Sequence, residues 1–436
     1  MTSLGLGYRK LYVSTVVSNL GDGMASVAYP WLASAVTRNP LLVSLVVVAQ
    51  KLPWLVFALP AGVITDRVDR RRAMALMDVL RFALTLLVAL AVLGWSGDLP
   101  GPRQLDRVVG TRTGLYVVVL LATLLLGMAE VLRDNCGQTI MPNLVADEHL
   151  ETANGRLWAA EGIANTFIGP PIGSLLLVAS FALPFFLDAA SFFAAAALVA
   201  SISGSFRVVR DDTVPPASWR VDLAEGVRWL WRHELLRPMA IILGIMNLAS
   251  MLGAATLVLF AQEVLDIGPV LFAVLGFGYA LGGIVAGSFA SAVSKRLGSG
   301  TCLAFTLAGS AVVALTIGLF PSWPVVVVMY TVLALLGTLW NVITVSLRQS
   351  IIPPHLLGRV NSVYRFFAWG MMPIGAALSG LIVWAVDRFA SRDWGLRSVY
   401  FIDAAIHVAL FLVGSSKLTT AKIALARTAA GGSAGA

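Results

Sequence analysis

The sequence predicts an all-α integral membrane protein, with twelve transmembrane helices arranged in two lobes of six helices each. Of its 436 residues, 58% are hydrophobic and only 12% are charged, a composition too apolar for a soluble protein. The apolar residues form runs long enough for a helix to cross a bilayer, which takes roughly 20 residues. Short motifs of the first half also recur in the second half, in the same order.

Twelve apolar runs, separated by charged residues, prolines and glycines, are predicted to span the membrane. They cover about 11–36, 41–65, 73–95, 114–141, 155–180, 183–205, 239–262, 269–294, 299–320, 324–350, 360–386 and 397–416. Cys136 and Cys302 fall inside such runs without a C-x-x-C spacing, so neither a disulfide framework nor a metal site is predicted.

Basic residues set the predicted orientation. The even-numbered connections hold most of the arginines and lysines, including Arg70, Arg71 and Lys295. Because basic loops stay on the cytoplasmic side, we expect a multi-pass protein of the cytoplasmic (inner) membrane with both termini in the cytoplasm. Topology thereby explains the net charge of +8, and no nucleic-acid partner is expected because there is no soluble basic domain.

The longest polar segment divides the chain between the sixth and seventh spans. The predicted domains are an N-terminal lobe (1–205), a cytoplasmic linker (206–238), a C-terminal lobe (239–418) and a flexible cytoplasmic tail (419–436). Within the linker, Leu223, Val227 and Leu230 fall on one face of a helix. This segment is predicted either to lie on the inner membrane surface or to act as a plain tether.

Two motifs recur at corresponding places in the two halves. Gln138-Thr-Ile-Met-Pro142 matches Gln349-Ser-Ile-Ile-Pro353, and each motif closes a span. Phe186-Leu-Asp-Ala-Ala190 then matches Phe401-Ile-Asp-Ala-Ala405, and each opens the last span of its half. The repeated order predicts a six-plus-six duplication.

A charged loop joins the second and third predicted spans and reads G-x-x-x-D-R-x-x-R-R from Gly62 to Arg71. This spacing resembles the corresponding loop of the major facilitator superfamily, a family of secondary transporters. The resemblance implies that Asp66, Arg67, Arg70 and Arg71 latch the cytoplasmic side shut during alternating access. Gly62 is expected to let two helices pack closely. The alternative is a basic anchor that only fixes topology.

The fifth predicted span contains a glycine- and proline-rich motif. Its core, Gly169-Pro170-x-x-Gly173, resembles the fifth-helix motif of exporters that exchange protons for drugs. Asn165 stands where a glycine often precedes that core. The alternative is a kinked helix whose glycines serve only close packing.

Ionisable side chains inside spans are costly in hydrocarbon, so they are expected to face the protein interior or a water-filled cavity. Asp22 and Lys51 lie near the middle of the first two spans, at a shared depth that allows an ion pair. Asp22 and Glu130 are the candidates for exchanging a proton as access alternates. The alternative for Glu130 is a structural salt bridge to Arg133 or Arg81.

Further polar or aromatic side chains within spans are candidates to line a central cavity, although a structural role explains each of them individually. They are Lys51, Arg133, Asn165, Asn247, Trp340, Asn341, Arg348 and Arg365. The second half is poorer in buried acids, and Asp188 and Asp403 are interpreted as packing partners near helix starts.

The chain resembles the major facilitator superfamily over nearly its whole length, and within it the bacterial macrolide-efflux and enterobactin exporters. The resemblance implies export of a hydrophobic or amphipathic small molecule by a functional monomer, with protons and membrane lipids as further partners and no cofactor. An importer or symporter and a non-transporting sensor or scaffold remain alternatives. No enzyme is expected, because the sequence contains neither H-E-x-x-H nor G-x-x-x-x-G-K-[ST].

Overall fold

The computed structural model describes residues 4–65, 67–102, 104–105, 108–204, 206 and 219–433, and almost all of them are helical. The α-helices are α1 (Gly5–Val36), α2 (Pro40–Val56), α3 (Ala58–Thr65), α4 (Arg70–Gly94), α5 (Thr113–Ile140), α6 (Leu150–Gly162), α7 (Gly169–Ala179), α8 (Leu183–Ala200), α9 (Trp219–Arg232), α10 (Leu236–Ala255), α11 (Leu257–Glu263), α12 (Pro269–Leu297), α13 (Ser299–Leu319), α14 (Trp323–Ile351), α15 (Pro354–Phe389), α16 (Arg392–Lys417) and α17 (Thr420–Ser433). A π-helical segment, Ile163–Ile168, joins α6 to α7.

Polar side chains mark where several helices begin. Asn39 accepts a hydrogen bond from the backbone N–H of Leu41 at the start of α2, where Pro40 is the first helical residue. Asp69 accepts one from the N–H of Arg72 at the start of α4. These side chains satisfy N–H groups that have no partner within the helix, so the local sequence fixes both starting points.

The structure confirms an all-helical, multi-pass fold, and helix occupies each predicted span. Ten helical segments of the described chain are long and apolar enough to cross a membrane. The first two predicted spans do not meet both criteria. The helix α2 has only 17 residues and stops before Phe57, and α1 is long but carries the buried polar residues Ser14, Ser18 and Asn19. These side chains lower the mean hydropathy of α1. A polar side chain can lie on a membrane-spanning helix when it faces the protein interior, as these three do.

The described chain divides into two compact units. The first comprises Met1–Asp211 and Asp266–Val274, and the second comprises Asp212–Leu265 and Leu275–Ala436. In the first unit, α1 packs on α7 and α8, and α4 packs on α5 and α8. In the second unit, α10 packs on α15 and α16, and α13 packs on α14 and α16. Helices at matching positions of the two halves therefore have matching neighbours, which is the arrangement that a six-helix repeat predicts.

The C-terminal segment differs from the expected flexible tail, because it forms α17 over Thr420–Ser433. Ile423 is buried, and Gly300 on α13 lies so close that a Cβ there would be 2.2 Å from the backbone nitrogen of Thr420. The alanine-rich sequence favours a helix, and burial of Ile423 holds that helix against the second unit.

Candidate functional site

The first unit buries a cluster of charged side chains from three helices. Asp22 comes from α1, Asp78 and Arg81 come from α4, and Arg133 comes from α5. Arg81 Nη2 donates to Asp22 Oδ1 at 2.6 Å, and Arg81 Nη1 lies 3.7 Å from Asp78 Oδ1. Arg133 Nε donates to the same oxygen of Asp78 at 3.2 Å. These four residues form a continuous series of ion pairs, which we call the charge cluster.

The centre of the charge cluster is buried. The side chain of Asp78 is 0% exposed and that of Arg81 is 4% exposed, and the Arg81 guanidinium lies 3.9 Å from the centre of the Phe192 ring. Buried charges are tolerated only when they are paired and hydrogen-bonded. Yet Asp78 Oδ2 and Arg81 Nε have no hydrogen-bond partner among the described residues. The cluster therefore retains hydrogen-bonding capacity that a proton or a changed pairing can use.

Asp22 is the most accessible member of the charge cluster, with 31% of its side chain exposed. The ion pair with Lys51 that the sequence suggested is wrong, because Asp22 pairs with Arg81 instead. A shared depth in the membrane does not fix the direction in which a helix presents a side chain, and the long Arg81 side chain reaches α1 from α4. Asp22 thus lies at the accessible end of a buried series of charges.

Glu130 lies beside the charge cluster on α5. It is half-buried and within electrostatic range of Asp22, Arg81 and Lys51. The described chain contains no ion pair between Glu130 and either arginine named in the structural alternative. Arg81 pairs with two aspartates of the cluster, and Arg133 pairs with Asp78 and lies 3.8 Å from Asp134. Two acids one helical turn apart, Glu130 and Asp134, therefore adjoin the cluster.

Asp188 adds a further buried carboxylate where α8 meets α1. A Cβ at Gly21 would lie 2.3 Å from Asp188 Oδ1 and 2.2 Å from Ser191 Oγ, so the absence of a side chain at Gly21 permits this close approach. The packing role expected of Asp188 is therefore seen. The structure also places Asp188 within electrostatic range of Asp22 and Arg81.

The fifth-helix motif packs directly on α1, next to Asp22. A Cβ at Gly169 would lie 2.6 Å from the Cα atom of Gly23, and a Cβ at Gly173 would lie 2.5 Å from the carbonyl oxygen of Met24. Pro170 is the second residue of α7, directly after the π-helical segment.

The π-helical segment just before the motif brings Asn165 to α1. The Asn165 side chain donates to Asn19 Oδ1 at 3.2 Å. A π-helical turn is rare and is often found at functional sites, because its extra residue redirects the following side chains. The motif and the π-helical segment together fix the position of the part of α1 that carries Asp22.

The arginines of the charged loop bind helix ends within the first unit. Arg70 Nη1 donates to the carbonyl oxygen of Thr139 near the end of α5 at 2.8 Å. Arg71 Nη1 donates to the carbonyl oxygen of Ile202, just beyond α8, at 2.6 Å. Carbonyl groups at helix ends lack partners within the helix and carry partial negative charge, so guanidinium groups stabilise them. These contacts tie Arg70 and Arg71 to helix ends of the first unit.

The other loop residues give no direct support for a latch. Asp66 lies outside the described residues, and Arg67 is exposed. The close helix packing expected at Gly62 is not found, because a Cβ there would meet no described atom within 4 Å.

The candidates of the second unit make separate contacts. Asn247 donates to the carbonyl oxygen of Ala368 at 2.8 Å and joins α10 to α15. Trp340 was wrongly proposed to line a cavity, because its side chain is packed in the core with 1% exposed. Most residues around Trp340 on its helix α14 are apolar, so the sequence did not show which side is buried.

Two arginines of the second unit lie on aromatic rings, and the remaining candidate is exposed. Arg348 lies 4.0 Å from the centre of the Tyr364 ring, and Arg365 lies 5.7 Å from that of Trp369. Asn341 is exposed on α14. Cation–π contacts of this kind stabilise the packing of a charged side chain.

Comparison with known proteins decides the family. A family model described as transmembrane secretion effector matches residues 6–391, which is most of the chain. The chain belongs to this family of major facilitator transporters.

Two named relatives cover most of this transporter. The multidrug efflux pump Tap of Mycobacterium tuberculosis is 25% identical over 389 residues, which are 87% of each protein. The enterobactin exporter EntS of Shigella boydii is 25% identical over 385 residues, which are 86% of this chain and 84% of EntS.

Solved structures share the fold of this major facilitator transporter. The structure of a bacterial homologue of the iron transporter ferroportin is 17% identical, with a TM-score of 0.70, and the match covers 94% of this chain and all of that one. The nucleoside transporter NupG is 11% identical, with a TM-score of 0.68, and the match covers 95% of this chain and 99% of NupG.

Sequence reasoning missed two features of this transporter. The first is Asp78, which contacts both arginines of the charge cluster. Its position three residues before Arg81 in one apolar span was the sequence signal for this pairing. In the second unit, Asp403 Oδ1 lies 2.8 Å from Nδ1 of the buried His407. Their spacing of four residues on one helix was the signal for this pair.

Proposed function

We propose that this transporter exports a hydrophobic or amphipathic small molecule across the cytoplasmic membrane by alternating access, driven by proton antiport. The charge cluster of the first unit carries the proposal, because acids in and around it outnumber the nearby cations. The activities named for Tap and EntS support export and this class of substrate. The chain acts as a monomer with both termini in the cytoplasm, and it catalyses no covalent reaction.

A count of charges supports a bound proton. The acids are Asp22, Asp78, Glu130, Asp134 and Asp188, and the nearby cations are Arg81, Arg133 and Lys51. If all eight groups were ionised, this group of side chains would carry two uncompensated negative charges, five minus three. An uncompensated buried carboxylate is far more costly than a protonated one, so at least one acid holds a proton.

Arg81 provides the switch between the two protonation states. While Asp22 is ionised, it holds Arg81 at 2.6 Å, and the second contact, to Asp78, is longer at 3.7 Å. Protonation of Asp22 removes its charge, so Arg81 transfers towards Asp78. Because Asp22 lies on α1 and Arg81 lies on α4, this change of pairing alters the contact between the two helices. A cationic or polar group of the substrate competes for the same carboxylates. This competition couples the movement of the substrate to the movement of the proton.

The charged loop completes the proposal as a gate. Arg70 and Arg71 hold the ends of α5 and α8. Asp66 has no acidic counterpart in the second half, where Ala286-Gly287 matches Ala61-Gly62 and Ser291 stands in its place. Asp66→Asn tests this role. A latch predicts altered transport with unchanged insertion and unfolding stability, whereas a purely topological loop predicts that neither changes.

Transport by purified protein in proteoliposomes tests the coupling. Ethidium, a fluorescent amphipathic cation, serves as the probe, and an imposed pH gradient serves as the driving force. We expect the gradient to accelerate transport by the parent but not by Asp22→Asn or Glu130→Gln, which keep size and remove the titrating group. Glu148→Gln is the matched control, because the Glu148 side chain is 78% exposed outside the cluster.

Two outcomes would overturn the proposal. One is an unchanged response to the pH gradient in both Asp22→Asn and Glu130→Gln, which would show that neither carboxyl group couples proton movement to transport. The other is accumulation of the probe in the direction of import. The substrate itself is found by comparing a deletion strain with an overexpressing strain for drug susceptibility and for secreted metabolites.

A further inference from the structure

A cationic cavity lies between α9 and α15 in the second unit, far along the chain from the charge cluster. Its volume is about 340 Å³, and it is lined by Glu225, Arg228, Trp229, Arg232, His233 and Leu356. The helix α9 is held firmly on α15 at this place. Gly226 approaches the backbone of Arg359 so closely that a Cβ would lie 2.9 Å from its carbonyl oxygen, and Leu230 is buried.

Positive charge dominates the cavity. Arg228 and Arg232 are exposed, one helical turn apart on α9, and neither forms an ion pair with another described residue. Glu225 is the acid of the lining, and it pairs with Arg359 of α15. Its charge is thereby compensated, so two guanidinium groups are left to attract an anion. Their planar arrays of N–H donors suit the oxygen atoms of a phosphate group.

His233 supplies a third donor. Its Nδ1 accepts hydrogen bonds from the backbone N–H groups of Leu235 and Leu236, both at 3.2 Å, at the start of α10. Since Nδ1 acts as an acceptor, the ring proton is on Nε2. Burial lowers the pKa of His233 below its usual value, which keeps the ring neutral and this arrangement intact.

The position of the cavity indicates the source of the anion. His233 lies three residues before Leu236, where the next membrane-spanning segment begins. Trp229 in the lining and the exposed Trp231 beside it are aromatic residues of the kind that favour the boundary between lipid and water. A pair of arginines at that boundary meets the headgroups of anionic phospholipids.

We propose that this cavity binds the phosphate headgroup of an anionic phospholipid. Arg228 and Arg232 hold the phosphate oxygens, the His233 Nε2–H donates a further hydrogen bond, and Trp229 and Leu356 contact the glycerol and upper acyl chain. The bound lipid fixes α9 to the membrane surface.

Lipid titration of the purified full-length chain in detergent tests the site. The probes are phosphatidylglycerol, zwitterionic phosphatidylcholine and inorganic phosphate, and binding is measured by native mass spectrometry and by tryptophan fluorescence. We expect saturable binding of phosphatidylglycerol that Arg228→Gln/Arg232→Gln weakens by about 30-fold. Lys422→Gln/Arg427→Gln is the matched control, because it removes two charges from exposed residues of α17 in the same unit.

Three results would overturn the proposal. An equal loss of affinity in the α17 control would mean that overall charge, not the cavity, attracts the lipid. Equal affinity for phosphatidylcholine would remove the role of net negative charge. Saturation by inorganic phosphate at lower concentration than by lipid would assign a soluble phosphate compound instead. Arg228→Lys/Arg232→Lys keeps the charge and should restore part of the affinity.

Discussion

The contact between Gly169 and Gly23 can be tested by adding one methyl group. In Gly169→Ala the new Cβ would lie 2.6 Å from Gly23 Cα and 2.8 Å from Gly23 C, whereas ordinary contacts begin at 3.4 Å. Both neighbouring atoms belong to the backbone, so no rotamer change relieves the overlap. The segment must move away from α1 by about 0.8 Å, the difference between 3.4 and 2.6 Å. Overpacking of this kind costs about 1–3 kcal/mol.

Gly162→Ala is the matched control, because a Cβ at Gly162 would meet no described atom within 4 Å. Both substitutions gain helix propensity of up to about 1 kcal/mol, so the difference between the two variants isolates the overlap. We expect Gly169→Ala to be less stable than Gly162→Ala by about 1–3 kcal/mol, measured as the free energy of unfolding in mixed micelles. It should also transport more slowly, since Asp22 adjoins the displaced contact. Equal stability of the two variants would refute the close packing of the motif on α1.

Three further predictions concern buried charge, helix ends and pH. Asp78→Asn should cost about 3–5 kcal/mol because it leaves Arg133 without its buried partner, and adding Arg133→Gln should recover part of that loss in a double-mutant cycle. Additive costs would contradict the pairing. Arg71→Gln should lower the free energy of unfolding by about 1–2 kcal/mol, because it removes the hydrogen bond to the end of α8. Arg72→Gln, at an exposed position, is the control and should lower it little. Equal losses in the two variants would argue against this contact. Since burial lowers the pKa of His233 below its usual value of about 6.5, its stabilising contribution is present above that pH and is lost as the pH falls through the lowered pKa. His233→Asn, which keeps a non-titrating acceptor, should show less of this loss in thermal unfolding curves recorded across that pH range.

The membrane fold could be predicted from sequence because it depends on length and apolarity alone. A run of about 20 apolar residues leaves the backbone few alternatives to a helix in lipid. The prediction was weakest at the first two spans. There, α1 is polar because Ser14, Ser18 and Asn19 face the interior of the first unit, and the second span is interrupted at Phe57.

The charge cluster could be predicted only in part. The cost of charge in hydrocarbon identified Asp22, Glu130 and Arg133 as residues facing the interior. The partners could not be assigned, because the rotation of each helix about its axis is set by packing with its neighbours. Asp22 therefore pairs with Arg81 on α4. The close contacts of Gly169 and Gly173 were better indicated, since glycine in a span has few other uses than close approach.

The buried proton is the central claim, and infrared spectroscopy of the purified protein at about pH 7 tests it most directly. At this pH exposed carboxyl groups are ionised, so a protonated carboxyl C=O band reports buried acids. We predict such a band in the parent, with a shift in heavy water and a marked decrease in Asp22→Asn or Glu130→Gln. A parent spectrum without the band, or a band that neither substitution changes, would contradict an exchangeable proton on either residue and with it the proposed coupling.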